Sequence, residues 1–104
     1  MDLQQPRGVP AAPNESIVRG KVVEIEAVPD GVGSIWKVHV DETHDVGQLR
    51  NLTRAHIGET IVIYVHPDMR KEFTAGDTIE VNVSFQGDER GGAFFLMGDK
   101  VHKL

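Results

Sequence analysis

The sequence predicts an all-β protein: one small barrel of five strands with one or two short helical turns, preceded by a disordered N-terminal leader. Three observations predict it. Ile79, Val81, Val83 and Phe85 alternate strictly with Glu80, Asn82 and Ser84, and a period of two belongs to a strand that buries one face. The same alternation returns over residues 34–41 and 60–66, with clusters of Pro, Gly and Asp between the runs. An open sheet of this size would leave its edges bare, and closing it into a barrel removes them.

Taken in order, Met1 to Asn14 carries Pro6, Pro10 and Pro13 among small residues and little that packs. Residues 1–15 therefore read as a flexible leader or tether, and residues 16–104 as the barrel domain. Ile17 to Val28 is the first strand. Its apolar residues change phase, Val18 and Val22 lying on one parity and Val23 and Ile25 on the other, with Gly20 inside the run. That combination predicts a bulge or sharp bend. Residues 29–33 (PDGVG) are a turn.

Ser34 to Asp41 is the second strand, with Trp36, Val38 and Val40 on its inner face and Ile35, Lys37, His39 and Asp41 on its outer face. Between Thr43 and Glu59, the residues Leu49, Leu52 and His56 recur at helical spacing ahead of Gly58, which predicts one or two helical turns. Thr60 to His66 is the third strand. Asp68 to Phe73 has room for a single helical turn, and Gly76-Asp77 turns the chain into the fourth strand. Residues 86–92 (QGDERGG) then form a hairpin loop before Phe94 to Met97, with Val101 and Leu104 as a continuation. The expected core is Val18, Val23, Ile25, Trp36, Val38, Val40, Ile61, Ile63, Val65, Ile79, Val81, Val83, Phe85 and one parity of Phe94 to Met97.

The totals narrow the function classes. There are 104 residues, enough for one domain that folds without staples. No cysteine is present, which excludes disulfides, zinc ribbons and thiol catalysis together. No apolar run approaches the roughly 18 residues of a membrane span, and no hydrophobic signal core is seen, so the chain as given is expected to be soluble; it carries no compartment signal. Eleven basic residues face sixteen acidic ones, a net charge of -5, which is a poor balance for sequence-independent binding to phosphates.

The run Val18-Arg19-Gly20-Lys21-Val22-Val23, opening a kinked first strand, and Ala75-Gly76-Asp77-Thr78-Ile79, opening the fourth, resemble an OB-fold, a five-stranded Greek-key barrel. The resemblance covers about Ser16 to Leu104. One feature departs from the pattern: the usual helix between strands three and four has only Asp68 to Phe73 available, and the longer insert lies one connection earlier. The resemblance implies that the face of strands two and three, with the one-two and four-five loops, binds the ligand. Its outward residues here are Lys37, His39, Tyr64 and His66, with Ile35 and Val62 beside them, and Arg90 in the four-five loop. An aromatic ring there offers stacking and a cation offers phosphate contact, so the implied partner is single-stranded nucleic acid or an extended polypeptide. Tyr and His also suit any solvated strand, so the same residues fit an ordinary barrel exterior.

A second class of function is a soluble metal carrier or sensor. His39, Asp41 and His44, with Glu42 and His66 able to converge on them at the end of strand two, are adequate ligand types for zinc, copper or nickel. The chain is similar in size and hairpin to periplasmic copper-binding OB barrels, but no closely spaced Met pair follows strand two; Met69 and Met97 are isolated. For catalysis the residues offer little. Ser16, Ser34 and Ser84 lie in or beside strands without a nucleophile-elbow pattern, and residues 87–92 (GDERGG) lack the Gly-Lys-Ser/Thr of a phosphate loop. Glu24 and Glu26 share one parity of the first strand and so stand side by side, as carboxylates on solvated strands often do. The expectation is a non-catalytic binding module with no cofactor.

Overall fold

The computed structural model describes residues 12–28, 33–66, 69, 72–88 and 91–104. Five strands, β1 (Ser16–Ala27), β2 (Ser34–Asp45), β3 (Thr60–Val65), β4 (Thr78–Asp88) and β5 (Gly91–Lys103), close into one barrel in the order β1-β2-β3-β5-β4. β1 pairs with both β2 and β4, and every neighbouring pair is antiparallel except β3 with β5. This is the OB-like barrel that the strand pattern implied. Among the described residues no helix is long and apolar enough to cross a membrane.

β1 serves two neighbours because it bends, and its side chains show how. Val18, Gly20 and Val22 point inward, and two register shifts against β2 follow Arg19 and Val22. In the first, Arg19 faces Glu42 and Gly20 faces Val40, which leaves Asp41 without a partner; in the second, Val22 faces Val38 and Glu24 faces Lys37, which leaves Val23 over. Each bulge adds local twist and bends the strand. At Gly20 the two backbones come so close that a Cβ would lie 1.9 Å from the His39 carbonyl oxygen, so only glycine fits.

The second bulge corrects one expected core residue. Val23 is the bulged residue and is turned outward, 50 % exposed, while Val22 takes the core position. Ile25 and Phe85 pack against the core but are only partly buried. The other expected core positions are buried, and from β5 it is Phe94 and Leu96 that point in. Trp36 is fully buried, and its indole N–H donates to Ser34 Oγ at 2.8 Å, which satisfies the one polar atom of the ring. Phe73, from the β3–β4 connection, closes over it with ring centroids 5.2 Å apart.

The long connection after β2 is less helical than its spacing suggests. β2 itself runs four residues beyond Asp41, because past that bulge Glu42 to Asp45 pair again with Ser16 to Arg19. Only Arg54–His56 is helical, as a 3-10 turn. It is anchored by the buried Thr53, whose backbone N–H and hydroxyl both donate to Asn51 Oδ1. In the β3–β4 connection the amides of Glu72 and Phe73 both return to the Met69 carbonyl; Asp68, Arg70 and Lys71 of the expected turn lie outside the described residues.

β5 reaches the C-terminus in two pieces. Leu96 faces Val83 and Val101 faces Val81, so residues 97–100 bulge out opposite Asn82, with Gly98 at a φ of 59°. At the other end, residues 1–11 of the expected leader lie outside the described residues. Asn14 and Glu15 sit on the barrel. The Asn14 amide donates to the Phe85 carbonyl at 3.0 Å, and its Oδ1 accepts from the Phe85 N–H at 2.7 Å. Glu15 is buried, accepting from Asn82 Nδ2 at 2.9 Å with Lys100 Nζ 3.7 Å away.

Candidate binding face

The outer face of β2 and β3 is set by their register. Ile35 stands opposite Tyr64, Lys37 opposite Val62 and His39 opposite Thr60. β1 extends these rows on one side, Glu26 opposite Ile35 and Glu24 opposite Lys37; β5 extends one of them on the other, Phe95 opposite Tyr64. One row therefore reads Glu26, Ile35, Tyr64, Phe95, and the next reads Glu24, Lys37, Val62.

Tyr64 and Phe95 stack, with centroids 5.3 Å apart and planes 28° from parallel. They are 37 % and 38 % exposed, and Val62 beside them is 39 % exposed. A hollow of about 340 Å³ adjoins the pair, lined by Val28, Ser34, Tyr64, Val65, His66 and Phe95. A cleft of about 480 Å³ lies on the other side of Tyr64, because β3 and β5 pair only at Ile63–Phe94 and Tyr64–Phe95 and then diverge. Tyr64 is the ridge between the two depressions.

The charges around this ridge are unequal. Lys37 Nζ is committed to Glu24 Oε1 at 3.4 Å. Glu24 and Glu26 are neighbours on this face of β1, and that single ammonium bonds to Glu24 but acts on Glu26 only through its charge. Glu24 is held below its ordinary value by the bond from Glu26 and by Lys37; Glu26 is pushed above its own by that bond and by the charge of Glu24.

Of the residues expected on this face, Lys37 and Tyr64 stand in adjacent rows, and His66 lines the hollow with Tyr64 and Phe95. His39 lies four residues along β2 from Ile35, about 13 Å from the Tyr64 row, and its Nε2 is 4.0 Å from Asp41 Oδ1. Arg90 lies outside the described residues. Phe95 was not expected here. The run Phe94-Phe95-Leu96 does not show which ring points out, and its parallel pairing with β3 joins strands that are not consecutive in the chain.

The alternative metal set is not brought together. His39 turns to Asp41, whereas His44 Nε2 is 3.2 Å from Glu42 Oε1. Strict alternation would turn His44 to the face opposite His39; the bulge at Asp41 turns it outward again, but opposite Ile17, four residues along β1 from Lys21, the partner of His39, or about 13 Å away. Among the described residues no group of three His, Asp or Glu side chains is arranged to hold a metal ion. Elsewhere the exposed ion pairs are local. Arg19 bridges Glu80 and Glu42, and Arg54 with Asn51 holds the Asp45 carboxylate, whose pKa is lowered by those two contacts. The three strand serines, Ser16, Ser34 and Ser84, are buried. Comparison with protein-family models, with curated proteins and with solved structures returned no match, so the functional reading rests on the chemistry of this face.

Proposed function

We propose that this barrel is a non-catalytic binding module that docks an extended polypeptide across the outer face of β2, β3 and β5. The observation that carries the reading is the exposed, stacked Tyr64–Phe95 pair with Val62 at its side. A flat apolar ridge between two hollows is expensive to keep in water, and covering it returns about 25 cal/mol for each Å² of apolar surface removed. Polypeptide is favoured over oligonucleotide by charge. The one described cation of the ridge, Lys37, is paired with Glu24, and the chain as a whole is acidic. A phosphate backbone needs free Lys and Arg. The burial of Ser16, Ser34 and Ser84 supports the non-catalytic part of the reading.

The test is a selection of peptides from a random library displayed on phage, followed by an amide-shift titration of labelled protein with the best peptide. Shifts should cluster at Ile35, Val62, Tyr64 and Phe95. Phe95→Ala, a change at an exposed ring, should weaken binding by about tenfold or more, as loss of an interface aromatic does. A mixed single-stranded DNA or RNA oligomer should leave these amides in place. The reading fails if that oligomer shifts them instead, with an affinity that falls steeply between about 50 and 200 mM salt.

A further inference from the structure

The proposed docking face pairs its aromatic ridge with a carboxylate couple, and the register sets the distance between them. Glu26, Ile35, Tyr64 and Phe95 follow one another across β1, β2, β3 and β5 in a single row. Neighbouring strands are spaced by about 4.8 Å, so Glu26 stands two spacings, about 10 Å, from Tyr64. Ile35 lies between them and keeps the path apolar. Glu24, in the adjacent row, is the other member of the couple, and Lys37 is the one described cation that reaches it. The surplus of negative charge therefore lies at one end of the row and the rings at the other.

We infer that the polypeptide recognised here carries an apolar or aromatic side chain and, about three residues away along a polyproline II backbone, a lysine or arginine: the first covers the Tyr64–Phe95 pair and the second enters between Glu24 and Glu26. A polyproline II chain advances about 3.1 Å per residue with three residues per turn, so side chains three apart project to the same side about 9 Å from each other, which matches the roughly 10 Å between ridge and carboxylates. The cation supplies what the couple lacks. Lys37 sits against Glu24, leaving Glu26 beside a like charge, and an incoming ammonium or guanidinium removes that repulsion and forms a charge-assisted bond. An arginine fits best, because its planar fork can bridge two carboxylates at once.

This inference rests on the polypeptide reading above, and its test separates the two. Peptides selected from the random phage-displayed library on the parent protein should share a basic residue about three positions from an apolar one. Selection on the Glu24→Gln, Glu26→Gln double variant should keep the apolar residue and lose the basic one. The best parent-selected peptide should bind that variant about two- to fivefold more weakly, the scale of an exposed ion pair. Lys37→Met gives a test of sign: removing the competing ammonium should strengthen the basic peptide severalfold, whereas it would weaken any acidic or phosphate ligand. Both changes are on exposed side chains, and melting curves check that the variants fold. Apolar peptides without a basic residue, or a basic residue that persists on the double variant, would overturn the inference and leave the docking face standing. Failure to enrich any peptide that shifts Tyr64 and Phe95 would overturn both.

Discussion

Replacing Gly20 by alanine tests whether the close approach of β1 and β2 is what bends this barrel. The added Cβ would lie 1.9 Å from the His39 carbonyl oxygen and 2.9 Å from its carbon, where ordinary contact begins at 3.4 Å. The atoms in the way are backbone, so no side chain can rotate to make room, and β2 must retreat by about 1.5 Å locally. Overpacking of this kind costs about 1–3 kcal/mol. Opening two ladder hydrogen bonds around the Gly20–Val40 pair adds about 1 kcal/mol each. The sum is about 3–5 kcal/mol, out of a total stability of about 5–15 kcal/mol for a domain. At about 4–8 °C per kcal/mol, the melting midpoint should fall by about 12–40 °C.

The assay is thermal unfolding followed by far-UV circular dichroism, with urea unfolding as a second measure. Gly47→Ala is the control. That glycine has a φ of 55° and nothing within 4 Å of its would-be Cβ, so alanine there carries only the left-handed backbone cost of about 1–2 kcal/mol. If Gly20→Ala is no more harmful than Gly47→Ala, the steric account of the bend is wrong.

Two further outcomes follow from contacts elsewhere. Asn14→Ala removes both bonds to the Phe85 backbone and should cost about 1–3 kcal/mol in urea unfolding, with faster hydrogen exchange at the Phe85 amide; an unchanged midpoint would show that this segment is not held by its side chain. In a carbon-detected NMR titration, the Glu24 and Glu26 pair should release its protons in two separated steps, one below and one above the ordinary value of 4.5, and Lys37→Met should raise the lower one. The lowered group adds stability above its ordinary pKa that is lost as the pH falls, and the raised group adds stability at low pH that is lost as the pH rises. Both are exposed, so the separation of the steps is the readout, and a single shared step would count against the geometry.

The strand pattern alone determined a great deal about this protein. A period of two is a local property, and it was enough to place β2, β3 and β4, to bury Trp36, Val38 and Val40 on one side, and to put Lys37 and Tyr64 on the other. The internal Gly20 and the phase change after Val22 announced a bend, because a glycine inside an apolar strand marks a place where another backbone comes close. What the tertiary structure decided is everything that depends on which residue is left over and which strands meet. Only the register shows that Val23 is the bulged residue and turns outward, and that Asp41 is the odd one on β2, which turns His44 to the outer face of His39 but four ladder positions away from it. Helical spacing from Leu49 to His56 became mostly irregular chain because Arg50 bridges to Asn14, its carbonyl accepting from the Glu15 N–H, and the Thr53 N–H is taken by Asn51 Oδ1. The binding ridge was half legible: Tyr64 could be read from its strand, but Phe95 joins it through the parallel β3–β5 contact between strands separated by β4. Alternation along a strand records which way each side chain points, and it carries no record of the neighbour that barrel closure brings to its side.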